Sequence, residues 1–516
     1  MNLFDISPSV PWLSLIWLSL IVPVVVILFL KPEQKQAIRV IGTSFAFISL
    51  ALSAIVYGAY DYTSNVKFQF VEELAWLPQM GINYILGVDG ISIPMLLLNG
   101  LIIFTGALIS WNIEYRIREY WILLLLLATG VYGVFVALDL FLLFVFYELA
   151  VLPMYLLIGI WGSTRKEYGA MKLTLYLIAG SILIIIGMLA VYFGSSGFQG
   201  DTTGVGLRTF DLRVIAQSSL FSREFQIIFF PAMFLGFAVL AGMFPFHTWS
   251  PTGHVAAPTA VSMLHAGVLM KLGAYGCLRA AMWIMPEGAN AWLLPIAIAT
   301  LIGAVYGATI AATQRDFKFM IGYSSVSHMG LTLMGLAAAN EIGLTGAVLQ
   351  MFAHGVMTAL FFAVVGRMVY DRTHTRQFPE LGGLWNVMPF AAIIFVIAGL
   401  SSMGMPLFAG FWAEMNIFMG MWQRYPLITI LAALSIPITA AYILRSIVTV
   451  FFGEVKNPAF LKMPKLTWPE YASGIILAIV LLISGFYPAY LTEPISSGVQ
   501  PVAEALQRAG TLAANP

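Results

Sequence analysis

The sequence predicts an all-α, polytopic membrane protein of about fourteen transmembrane helices. Three observations carry this. Of 516 residues, 60% are hydrophobic and only 9% charged, against about 25% charged in average proteins. Apolar runs near twenty residues recur along the whole length, each long enough to cross a hydrocarbon core about 30 Å thick. Lysines and arginines gather in alternate loops, as they do when a chain crosses a bilayer back and forth. A soluble globular domain is excluded, and a net charge of +1 argues against a nucleic-acid binder. The single cysteine, Cys277, lies in an apolar helix and permits no disulfide frame and no Cys-ligated cluster within the chain.

In chain order, the first apolar run, roughly 10–30, has no basic segment before it and no small-residue cleavage site. It reads as a span and not a removable signal. The second covers roughly 38–60, and the alternating VKFQFVE that follows predicts a hairpin before the third, roughly 91–111. The fourth and fifth, roughly 120–137 and 140–161, are nearly fused. The sixth is roughly 171–194, and a polar segment over 195–224 separates it from the seventh, roughly 226–247. Spans eight to eleven fall at roughly 257–282, 292–312, 319–338 and 344–368. The twelfth, roughly 388–420, is too long and is interrupted; the last two are roughly 427–451 and 471–490. Loops after odd-numbered spans hold most of the basic residues, among them Lys31, Lys35, Arg39, Arg116, Arg165, Lys166, Arg315, Lys318, Arg372 and Lys465. The positive-inside rule makes that side cytoplasmic and puts both termini outside. AGMFPFHTW (241–249) and MGMPLFAGFW (403–412) echo each other, both placing Gly and Pro inside an apolar run. Paired interruptions of this kind point to internal repeats of a transporter.

The stretch HTWSPTGHVAAPTAVSMLHAGVLMKLGAYGCLR (247–279) organises the candidate site. A helix starting near Ala257 puts Lys271 about 20 Å into the span. A cation there costs at least ~2.5–3.5 kcal/mol and needs a partner, a wet cavity or a neutral form. Glu148, mid-way along the fifth span with Pro153 a turn later, is a lone carboxylate for which Lys271 is the natural counter-charge. Glu414 follows the break in the twelfth span, where freed backbone groups hydrate locally. Five of the six histidines, His247, His254, His265, His328 and His354, fall within 247–354. Histidine titrates near neutrality and can pass a proton between its two nitrogens; the spacing of these residues does not fit a metal site. Lys172 reads as a cation that snorkels to the surface and Arg445 as one that snorkels or pairs with an acid, Asp139 as a structural acid at the outer surface, and Asp89 as a cap for the third span. No Walker loop, GxGxxG between strand and helix, or CxxC is present. The chain holds no redox centre of its own, so energy for moving ions must come from a gradient or a partner.

INYILGVDGISIP (82–94), FYELAVLPMYLLIGIWG (146–162), FPFHTWSP (244–251), APTAVSMLHAGVLMKLGAYGCLR (257–279), AATQRDFKFMIGYSSVSHMG (311–330), QMFAHGVMTALFF (350–362) and GLSSMGMPLFAGFWAE (399–414) together resemble the antiporter-like M subunit of respiratory complex I, the proton-translocating NADH:quinone oxidoreductase. The related D subunit of multi-subunit sodium/proton antiporters is also similar. The resemblance covers nearly the whole chain. It implies fourteen helices with broken helices seven and twelve and two inverted five-helix repeats, over 116–285 and 286–452, flanked by 1–115 and 453–516. It implies catalytic roles for Glu148, Lys271, His328, His354 and Glu414, with protons entering from the cytoplasm near the seventh and eighth spans and leaving by Glu414. FMN, Fe–S clusters and quinone would belong to partner subunits, the chain would contact L-, N- and K-type membrane-arm subunits, and it would lie in a bacterial inner membrane.

One match fails. The lysine expected seven residues before His247 is Leu240, and no other Lys or Arg lies within that span. The expected acid after the next proline is Thr252, and His265 stands six residues before Lys271 where an aliphatic residue is usual. Either the relay survives with His265 or Lys271 as the substitute base for Glu148, or this copy is a non-pumping scaffold.

Overall fold

The computed structural model describes residues 7, 10–195, 208–217 and 221–514. Half of the polar segment over 195–224 (196–207 and 218–220) therefore lies outside the described residues. Seventeen helices and one hairpin position the site. They are α1 Trp12–Phe29, α2 Lys35–Ala59, α3 Ile93–Ile109, α4 Ile117–Val136, α5 Leu140–Trp161, α6 Lys166–Gly194, α7 Arg223–Ala241 and α8 Trp249–Ala256. They continue with α9 Thr259–Met282, α10 Pro286–Thr313, α11 Phe317–Ala337, α12 Glu341–Thr373, α13 Pro389–Ser402, α14 Ala409–Arg424, α15 Pro426–Phe451, α16 Trp468–Phe486 and α17 Ala489–Ala514. Among the described residues, twelve helices are long and apolar enough to cross a membrane, so the expected fourteen is not reached on that criterion. The two shortfalls have physical causes: α11 carries too many serines and other polar groups, and the twelfth run is split into the short α13 and α14.

The expected hairpin forms, with Gln69–Leu77 antiparallel to Ile82–Val88. Its second strand docks on the α4–α5 turn through the Leu138 N–H, which donates to Ile85 O at 2.9 Å. Asp139 is there, fully buried and not at the surface. Its carboxylate accepts from Phe141 N and Leu142 N, which caps α5, and from Asn83 N of the hairpin. Three backbone donors in one place drew it inward, and its burial pushes the carboxyl up to about 6.

Contacts at the helix ends segregate into two sets. At one end Glu114 meets Lys35 and Arg39, Arg376 reaches Thr164 and Asp316, and Arg372 pairs with Glu470. At the other, Arg424 bonds Asn290 and Ser496 bonds Glu341. The first end is the one where the basic loops cluster, as strict alternation of the spans requires.

Both interruptions are real. α7 ends at Gly242, φ 75°, and the chain resumes as α8; α13 ends at Met403, with Gly404 at φ 64° before α14 begins. Glycine takes these left-handed positions without a Cβ penalty. α9 and α12 are also irregular. Residues His265–Leu269, Cys277–Met282 and Ala363–Tyr370 are π-helical, a wide turn frequently found at functional sites. From Ala260 to Met282 α9 is buried, so its polar side chains must find partners inside the protein.

Candidate functional site

Lys271 sits on the regular turn between the two π segments of α9 and is 0% exposed. Its ammonium donates to the Ala266 carbonyl and lies 2.7 Å from His354 Nδ1 of α12. The His354 ring stacks with His328 of α11 at 5.3 Å between centroids, tilted 21°. His328 Nδ1 lies 2.8 Å from Ser324 O, and Nε2 lies 3.1 Å from Ser402 O at the end of α13. The same Nε2 is 3.7 Å from Glu414 Oε1. Glu414 is buried beside the break, with Oε2 only 2.6 Å from where a Cβ on Gly404 would lie. Four of the expected residues therefore form one file, Lys271–His354–His328–Glu414, crossing from α9 to the second broken helix.

His265 stands behind this file, towards the basic end. Its ring lies 3.9 Å from that of His254 on α8, flanked by Trp249 at 5.1 Å. Both histidines are 0% exposed, and among the described residues no group bonds any of their four ring nitrogens. Two imidazolium charges that close would repel by about 4 kcal/mol even at an effective dielectric near 20, so the pair holds at most one proton.

Glu148 is elsewhere. It is half-buried on α5 and accepts from Ser181 Oγ of α6 at 2.6 Å. Lys271 does not face it, and no Lys, Arg or His among the described residues lies within 4 Å of it. Neighbouring Gly180 closes on Gly236 O and Val239 of α7, the turn before Leu240. Leu240 is fully buried in apolar packing. The expected Glu148–Lys271 pair is thus absent because the lysine turns back along its own helix to a carbonyl and a histidine.

Other expectations resolve locally. Lys172 donates to Thr252 Oγ1 at 3.4 Å. Arg445 pairs with no acid among the described residues and donates to the carbonyls of Ala312 and Gln314 at 2.6 and 3.1 Å. Asp89 accepts from Ile91 N and Ser92 N before α3, and it also forms a buried ion pair with Arg279 at 2.6 Å. Sequence reading passed over Arg279 because it ends an apolar run like a snorkelling cation. It passed over Lys318 for the same reason, as one more loop base. Lys318 is in fact 4% exposed and donates to the carbonyls of Val255 and Ala257 at 3.3 and 2.7 Å.

Broken helices around a buried file of titratable groups define a polytopic ion-translocating membrane protein. The chain belongs to the NADH:quinone oxidoreductase/Mrp antiporter transmembrane family, whose profile matches residues 137–439. It is 36% identical to NAD(P)H-quinone oxidoreductase chain 4 1 of a Synechococcus strain, over 94% of this chain and 92% of that one. It is also 36% identical to NADH-quinone oxidoreductase subunit M of Rhodobacter capsulatus, over 91% of each. It superposes on a chain of respiratory complex I from Thermus thermophilus with a TM-score of 0.84 and 26% identity, covering 96% of this chain and 99% of that one. A chain of the Mrp complex from Dietzia shares the fold, with a TM-score of 0.79 at 20% identity and coverage of 96% and 99%.

Proposed function

We propose that the chain is an antiporter-like, proton-translocating membrane subunit of a respiratory NADH:quinone oxidoreductase. The observation that carries this is the file Lys271–His354–His328–Glu414 at span depth. Each member binds or releases a proton, and each is close enough to the next for transfer directly or through one water. Glu414 at the second break is the release group on the outer side. Glu148 stands apart from the file, near the turn before Leu240, as the group that would answer a lysine at 240. The two interrupted helices belong to two inverted repeats, 116–285 and 286–452. FMN, Fe–S clusters and quinone belong to partner subunits, and L-, N- and K-type subunits are the neighbours in the bilayer. The basic helix ends face the cytoplasm of a bacterial cell, with both termini outside the inner membrane.

Moving one charge against 100 mV requires about 2.3 kcal/mol, supplied by electron transfer in the partners. The test is Lys271→Met and, separately, Glu414→Gln in the assembled complex. Protons pumped per electron should fall by this subunit's share; wild-type stoichiometry in both would defeat the assignment. A scaffold reading is favoured by one observation alone, the dry Leu240 in place of a lysine.

A further inference from the structure

We propose that His254 and His265 form a one-proton store that loads the file from the basic end through Lys318, in place of the base that Leu240 removes. This rests on the proton-translocating reading above. Four observations support it. The two rings are in contact, completely buried, and unbonded by any group among the described residues. Lys271 bonds the carbonyl of Ala266, the residue immediately after His265, so the pair adjoins the start of the file. Lys318 bonds the carbonyls of Val255 and Ala257, on either side of the last residue of α8 and next to His254. A cavity of about 170 Å³ opens at the basic end and ends on Lys318, with Ser110, Tyr120, Ser163, Thr259 and Asp371 in its wall. It is polar and large enough for several waters.

The basic groups facing the pair are Lys271 from α9, the acceptor in its neutral form, and Lys318 from α11, the donor as its ammonium. Arg376 adds a third basic group at Val255 O, 3.3 Å away. Asp316, which pairs with Arg376 at 3.2 Å, and Asp371 in the cavity wall are the acids on this side, and among the described residues no carboxylate lies within 4 Å of either ring. In each cycle one N–H bond of the Lys318 ammonium breaks as an N–H forms on a ring nitrogen. The ring then passes its proton to the neutral amine of Lys271, and water in the cavity reprotonates Lys318.

The experiment uses the assembled complex in proteoliposomes and reads protons per electron and its pH profile. His265→Asn keeps shape and polarity but does not titrate, and it should lose this subunit's share of pumping. Adding Leu240→Lys to that variant should restore it. Lys318→Arg keeps the charge but does not release a proton, so it should be as impaired as Lys318→Met; a functional Lys318→Arg would mean a structural role only. Wild-type stoichiometry in His265→Asn overturns the proposal. If Lys271→Met is also without effect, the parent reading fails as well; if Lys271→Met is inactive, only the store fails. Should His265→Asn not assemble, Thr259→Cys in a Cys277→Ala background reports the route. An impermeant maleimide added at the cytoplasmic face should label it, and protection from that face would exclude the cavity as the entrance.

Discussion

At the residue scale, the buried charges are decided by their partners. Arg279 is held by Asp89 and lies over Phe68, Tyr275 and Trp283 at 5.1–5.6 Å. Removing one partner of a buried pair leaves the other charge uncompensated, at about 3–5 kcal/mol. Arg279→Met should therefore destabilise the protein strongly in thermal unfolding in detergent, and Arg279→Met with Asp89→Leu should recover much of the loss. Asp139 gives a pH signature. Its carboxyl is raised from 3.8 to about 6 in the folded state, so the native protein holds the proton more tightly than the unfolded chain. The stability linked to it is present at low pH and is lost as pH rises from about 4 through about 6. Asp139→Asn should flatten that slope; an unchanged profile would show that Asp139 is not its source.

Elements set where these side chains point. The second break places Gly404 at φ 64° against Glu414. Gly404→Ala would strain the backbone and push the carboxylate away from His328, so pumping should fall in parallel with Glu414→Gln while assembly is retained. Normal stoichiometry would mean that the break tolerates a Cβ. The π segment at His265–Leu269 does comparable work in α9. It widens the turn between His265 and Lys271, so that Lys271 bends back to Ala266 O in place of crossing to α5. The sequence marked both breaks through Gly and Pro inside apolar runs. It carried no sign of the π turns in α9 and α12.

Across the whole molecule, the sorting of helix ends makes an orientation test direct. Cysteine at Lys166 should label only from the cytoplasmic face and cysteine at Ser64 only from outside, in a Cys277→Ala background; the reverse pattern would invert the topology. Composition, the spacing of apolar runs and the basic loops were enough to determine a polytopic helical bundle with interrupted spans, since lipid obliges every backbone group to bond within a helix. They also singled out Lys271, His328, His354 and Glu414, because an ionisable group at mid-span is too costly to be incidental. Which of these groups meet was settled only by the tertiary structure. Glu148 and Lys271 are opposite charges at mid-span in the fifth and eighth runs, yet they part company, while His254 and His265 come into contact across a helix break. Sequence spacing measures distance along one helix, and the file of titratable groups runs between helices, where packing alone decides the neighbours.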